Sequence, residues 1–197
     1  MRSPGAAEVA EGGEQPPKDA PRVYVASLSD YNAGRLHGDW INAAREVKEI
    51  HADVTAMLAR SRETGAEEWA IHDYDGFGPL RLGEHESLDV VAAIARGIAS
   101  DGDAFAAFAY SLGSPSVEQL ERFDERYRGH WPSLTDYADD LLEDLGTTQV
   151  LELIPAWLQP YVSLDVRGFG RDLALGGDLL AIGSEDGGVH IFDAGAE

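Results

Sequence analysis

Cysteine is absent from all 197 residues. That excludes a disulfide framework, thiolate metal sites and thiol catalysis, and it suits a reducing compartment. No apolar run approaches the roughly 20 residues a membrane helix requires. The opening Met1-Arg2-Ser3-Pro4-Gly5 leads into no apolar h-region, so no signal peptide is expected and the location is read as cytoplasmic. Lysine is scarce, two against 13 arginines. Catalytic signatures are scarce as well. There is no H-E-x-x-H, no G-x-S-x-G and no glycine-rich loop opening a helix after a strand, and the six histidines (37, 51, 72, 85, 130, 190) stand singly in the sequence. No cofactor and no metal site is expected. Carboxylate pairs are so common that they point to no particular acid–base chemistry.

What the chain has in excess is negative charge. Its formal net charge is −21. Residues 132–197 hold 13 acids and only two bases, Arg167 and Arg171, whereas residues 22–83 hold ten acids and seven bases. General acidity serves solubility, but a compositional bias would colour the chain evenly. A surface so one-sided repels nucleic acid and anionic membrane and attracts proteins that bind them. Binding to a basic protein surface, not catalysis, is the expected job. The hydrophobic content of 44% places the charge on a folded body.

The pattern along the chain is α+β, in three small units. Residues 1–21, rich in Gly, Pro, Ala and Glu, read as a flexible tail. Residues 22–83 read as an α+β unit: a strand over Pro21–Ser27, a polar loop over 28–38, a helix carried by Val47, Ile50, Val54 and Leu58 and ending near Gly65, and a strand over Glu68–Tyr74. Residues 84–131 read as a small helical bundle. One stripe (Leu88, Val91, Ala95, Ile98) stops at Asp101-Gly102, a second uses Phe105, Phe108 and Leu112, and Ser116 with Gln119 forms a capping box ahead of Leu120, Phe123 and Tyr127. Residues 132–197 read as an acidic α+β unit that closes with a hairpin, Leu179–Ile182 and Val189–Phe192.

In that third unit a helix from Ser133 to Gly146 places Asp136, Asp139, Asp140, Glu143 and Asp144 within about 140° of one face. Tyr137, Leu141, Leu142 and Leu145 lie opposite. Like charges three and four residues apart disfavour the helix by a few tenths of a kcal/mol each, and no Lys or Arg is interleaved. A helix needing only solvation would gain from Glu–Lys pairs, so the row is a candidate partner-binding surface. Glu152, Asp165, Asp172, Asp178, Glu185 and Asp186 are candidates for the rest of it. The apolar stretch Leu151–Tyr161 reads first as core. Its Ile154, Trp157, Leu158 and Tyr161 are alternatively candidates for a subunit interface.

Two patterns fail on inspection. Asp73, Asp75, Gly78 and Glu84 match positions of a calcium loop, but Phe77 stands where an oxygen ligand is needed, position 7 is Pro79, and the flanks read as strand and not helix. The Gly177–Gly187 stretch resembles part of a propeller blade without the repeat a propeller requires.

Several stretches resemble the ArdA family of antirestriction proteins. They are Val23-Tyr24-Val25-Ala26-Ser27-Leu28-Ser29-Asp30-Tyr31-Asn32 with Gly34-Arg35-Leu36-His37-Gly38 and Trp40-Ile41; Ala66-Glu67-Glu68-Trp69-Ala70-Ile71-His72-Asp73-Tyr74 with Gly76-Phe77; Leu153-Ile154-Pro155 through Leu158-Gln159-Pro160-Tyr161; Gly170-Arg171-Asp172-Leu173; and Gly188-Val189-His190-Ile191-Phe192. The resemblance implies an elongated three-domain fold that forms a homodimer through its C-terminal unit. It implies surface carboxylates mimicking bent duplex DNA, which occupy the DNA groove of type I restriction–modification enzymes, block restriction and often modification, and help incoming mobile DNA survive. It implies no catalysis, cofactor or direct nucleic-acid binding. It also implies an antirestriction segment loosely matching Asp144 to Asp165, where Thr147-Thr148-Gln149-Val150 departs from the family pattern. The alternatives are an adaptor for another basic DNA-binding protein and a carboxylate/histidine hydrolase built on His72 or His85.

Overall fold

The computed structural model describes residues 20–195. The architecture is mixed α+β with two three-stranded antiparallel sheets, ordered β2-β1-β3 and β4-β6-β5. The tail expected over residues 1–21 falls almost wholly outside the described residues. Pro21, however, is fully buried and its carbonyl accepts from Ala43 N at 2.9 Å, so the ordered fold begins before the first strand.

In the first sheet, β1 (Arg22–Ser27) runs between β2 (Gly38–Asn42) and β3 (Trp69–Asp75). Alternation buries Val23 and Val25, and a register shift against β3 after Tyr24 lets Ala26 and Ser27 turn inward as well. Ser27 then caps a short helix, α1 (Leu28–Asn32), its hydroxyl accepting from Asp30 N. The stretch expected as loop thus holds α1 and the start of β2. Asp30 is buried, and its carboxyl is held below the ordinary range first by the Ser61 hydroxyl, then by Ser27 and Arg35. These bonds also explain why α2 (Val47–Leu58) stops seven residues short of Gly65: Ser61 and Glu63 tie the following segment to Asp30 and Arg35 instead. Helix α2 covers the sheet with Ile50, Val54 and Met57.

Helix α3 (Leu88–Leu112) is two arms meeting at Gly102, whose φ of 59° and ψ of −136° interrupt the helix where the hydrophobic stripe stops. A Cβ on Gly97 would overlap the Phe105 ring, so the arms lie closely against each other. The capping box is formed: Gln119 N donates to Ser116 Oγ and Ser116 N to Gln119 Oε1, opening α4 (Val117–Leu120). After α5 (Phe123–Arg126), Tyr127 does not continue a helical stripe. It opens β4 (Tyr127–Trp131), where Gly129, at φ +100°, makes the bulge that adjusts the pairing with β6 (Val189–Asp193). Phe105, Phe108, Phe123, Tyr127 and Phe192 stack as one aromatic cluster with neighbouring centroids from 5.0 to 6.3 Å. The C-terminal sheet therefore shares its core with the helices. Between β4 and β5 (Leu179–Gly183) lie α6 (Leu134–Asp144), α7 (Thr147–Glu152), a 3-10 turn (Gln159–Tyr161) and α8 (Val166–Gly176). Among the described residues no helix is long and apolar enough to cross a membrane.

Candidate anionic docking surface

Helix α6 starts at Ser133, whose hydroxyl accepts from Asp136 N at 3.2 Å. It ends at Asp144, two residues before the expected Gly146, because Gly146 adopts a left-handed conformation and caps α7 instead. Two contacts orient the helix. Trp131 and Tyr137 meet edge to face at 5.4 Å, fixing α6 on β4. Ala138, fully buried, faces Gly170 of α8 so closely that a Cβ there would sit 3.0 Å from the Ala138 Cβ and 3.3 Å from the Leu134 carbonyl oxygen. A glycine opposite an alanine lets the two backbones approach, and the buried side of α6 is thereby set.

On the other side Asp136, Asp139, Asp140, Glu143 and Asp144 are all exposed. Tyr137, Leu141 and Leu142 are half-buried, while Leu145, expected opposite the acids, is 66% exposed. Helix α8 adds Asp172, exposed and 3.2 Å from Arg171. Asp165 is exposed but also accepts from Gly168 N at 2.8 Å as the cap of α8. Asp178 is exposed at the α8–β5 junction, and Glu152 is exposed at the end of α7. The packed pair α6–α8 thus gathers the acidic row and Asp172 into one helical layer. Glu185 and Asp186 stand apart on the β5–β6 turn, where Glu185 lines a cavity with Gly78 and Asp103.

The contrast with the first unit is electrostatic. There Asp30, Asp39, Asp53, Glu63 and Asp75 are each paired with an arginine. Of the eleven candidate carboxylates, only Asp172 has a basic partner among the described residues.

The Leu151–Tyr161 stretch is not monomer core. Leu153, Trp157 and Tyr161 are 83%, 73% and 82% exposed, and Ile154 and Leu158 are half-buried. The stretch is too short and too broken, by Pro155 and Pro160, to lay one apolar face against α6 or α8. Its own turn is held by Gln159 Nε2 donating to the Ile154 carbonyl at 3.0 Å, and just ahead of it Thr147 Oγ1 donates to the Leu142 carbonyl at 2.7 Å.

Sequence reasoning missed a polar cluster around His190. The cross-strand neighbours His130 and His190 have ring centroids 5.0 Å apart, so these two histidines are not solitary. His190 Nε2 donates to Asp103 Oδ2 at 3.1 Å, and Tyr127 OH lies 3.0 Å from Nδ1, the acceptor nitrogen of that tautomer. Ser184 Oγ donates to the same Asp103 oxygen at 2.8 Å. The bond from His190, then that from Ser184, holds the Asp103 carboxyl below its usual value. Burial, then the Asp103 charge, pushes the Tyr127 phenol up. Only strand register could have revealed this cluster. It does not make a nucleophile: Ser184 bonds the carboxylate and not the imidazole, and His190 is 4% exposed. Among the described residues no cluster has the make-up of a metal site.

A family model described as "Antirestriction protein (ArdA)" matches residues 23–185. No curated protein matches the chain with significance.

Proposed function

The chain belongs to the ArdA family of antirestriction proteins, and from that premise we propose that it works as a mimic of duplex DNA. It occupies the DNA groove of a type I restriction–modification enzyme in the cytoplasm and blocks restriction together with modification. In this reading it acts by binding and not by catalysis. The observation that carries the reading is the row Asp136, Asp139, Asp140, Glu143 and Asp144, exposed along one helix and with no basic partner among the described residues. Carboxylates three and four residues apart lie about 5–6 Å from one another at Cβ, close to the spacing of phosphates along one DNA strand. Duplex DNA carries one charge per about 1.7 Å of axis when both strands are counted, so a second row is required. Asp165, Asp172, Asp178, Glu152, Glu185 and Asp186 contribute to it, in the same chain or in a second copy. A groove that holds phosphates accepts such a surface without reading bases, so inhibition is indifferent to the enzyme's recognition sequence.

The same reading makes the protein a homodimer, with Trp157 and Tyr161, flanked by Ile154 and Leu158, as the contact. Exposed aromatic and aliphatic side chains this concentrated mark an interaction surface. It also keeps three units in series, 22–83, 84–131 and 132–197. One sheet closes within residues 22–75, and the other within 127–193 with β4 reaching back across the last boundary.

The test is a competition titration. A type I methyltransferase is bound to a labelled duplex and this protein is added at two salt concentrations. Near-stoichiometric displacement that weakens at high salt supports mimicry, because the groove must release its counterions to accept the carboxylates. A folded protein that displaces nothing at large excess refutes it. Displacement of several unrelated DNA-binding proteins would point instead to an adaptor of broad basic specificity.

A further inference from the structure

A cavity of about 580 Å³ opens where the Gly102 break in α3, the Gly76–Pro79 turn after β3 and the β5–β6 hairpin meet. Its formation follows from small residues. The positive φ of Gly102 redirects the second arm of α3, while Ala106 and Ala107 leave the floor open. Gly78 comes so close that its missing Cβ would already touch the Ala106 methyl at 3.4 Å. The walls are apolar, with Ile98 from the first arm and Ile182 from β5 facing the two alanines and Tyr110 at the end of the second arm. The charged side chains lining it are Asp103 and Glu185, both acidic. Asp103 is held through one oxygen, Oδ2, by Ser184 and His190, so the carboxylate is positioned while Oδ1 has no side-chain partner among the described residues. Glu185 forms no hydrogen bond or ion pair among the described residues.

We propose that this cavity is a binding site for a small organic cation with an apolar body, of the arylalkylamine class. The volume falls within the range of ligand sites, about 300–1,000 Å³, and apolar walls with few convergent polar groups are their usual make-up. The two carboxylates set the sign of the charge, and a net charge of −21 raises the local concentration of cations and keeps anions out. A bare metal ion does not suit the site, because the apolar walls supply none of the further oxygen ligands a hard cation needs. A thin polyamine has the charge but leaves the walls uncovered. The site shares Glu185 with the candidate docking surface but none of the α6 row, and its apolar walls and Asp103 stand whether or not the protein mimics DNA.

The experiment is a titration of the full chain with phenethylamine at neutral pH, read on the methyl resonances of Ala106, Ala107 and Ile182. Saturable shifts at these methyls in the low millimolar range are expected, as befits a fragment. Phenethyl alcohol, which keeps the body and lacks the charge, and putrescine, which keeps charge and lacks the ring, should both shift them less. Glu185→Gln should weaken phenethylamine about twofold to fivefold, the worth of a partly exposed ion pair, and Ala107→Phe should abolish the shifts by filling the floor. Non-saturating shifts, an equal response to either control compound, or full binding by folded Ala107→Phe would overturn the proposal. If Ala107→Phe does not fold, the control compounds and Glu185→Gln, on an exposed turn, still decide it.

Discussion

Replacing Asp139, Asp140, Glu143 and Asp144 together by Asn, Asn, Gln and Asn should make the protein more stable and a worse inhibitor. On α6 the like-charged neighbours are Asp136–Asp139, Asp136–Asp140, Asp139–Glu143, Asp140–Glu143 and Asp140–Asp144. Each such pair disfavours a helix by about 0.2–0.5 kcal/mol, and the four changes remove all five, a gain of about 1–2.5 kcal/mol. Glu143 and Asp144 also sit in the last turn, where the helix dipole disfavours negative charge, so their neutralisation acts in the same direction. Asp136 is left in place because it lies in the favourable first turn. For a chain of this size about 2–4 °C in Tm accompanies each kcal/mol. The assay is urea and thermal unfolding of parent and variant at low salt and at about 1 M salt, where the Debye length shrinks to about 3 Å, run beside the competition titration. The gain should be largest at low salt and shrink at high salt. A variant less stable than the parent at low salt would refute the repulsion argument. Undiminished inhibition by the folded variant would remove α6 from the mechanism.

Trp157→Asp should convert dimer to monomer in sedimentation without lowering the monomer's Tm, since the side chain is 73% exposed; an unfolded product would return this segment to the core. Gly170→Val should destabilise by about 1–3 kcal/mol through overpacking against Ala138 and Leu134, and Ala138→Gly in the same chain should recover part of the loss in urea titrations. Asp103 is a carboxyl whose folded pKa is depressed by His190 and Ser184, so its contribution is present above the unfolded value near about 4 and is lost as pH falls through the lower folded value. Unfolding at a series of pH values should therefore show the parent losing stability below about pH 4 more steeply than Asp103→Asn, and identical profiles would refute this.

Elements with one clean period were legible from sequence alone. Val23 and Val25, the Ile50–Val54 spacing, the Ser116–Gln119 box and the final hairpin all appear where local pattern put them. Helix α8 was not seen because Gly168, Gly170 and Gly176 argue against a helix. The Asp165 cap and the Val166, Phe169, Leu173 spacing were the available signal; a Cβ at Gly168 would displace the capping Asp165 carboxylate, and one at Gly170 would crowd the Ala138 methyl at 3.0 Å. Strand β4 was missed since Leu120, Phe123 and Tyr127 imitate a helical stripe, and only a partner 60 residues away declares it a strand. Of the candidate surface, the shared exposed face of the α6 acids was readable because a helix face follows from spacing. Which acids elsewhere join it depends on tertiary placement, as Glu185 beside Asp103 illustrates.

The strand order β4-β6-β5 has a temporal side. β6, the central strand, is also the last to leave the ribosome, so neither β4 nor β5 has its hydrogen-bonding partner until residues 189–193 emerge. The acidic helices α6 to α8 form an excursion between β4 and β5 whose base is fastened only once β6 has emerged. Before that, α6 can pack only on α8 and on Trp131, and this helical layer joins a complete sheet only in a late, long-range closure of the kind that slows folding. A nonsense codon just before Val189 would thus keep every candidate carboxylate of α6 to α8 and remove the central strand of the sheet beside them.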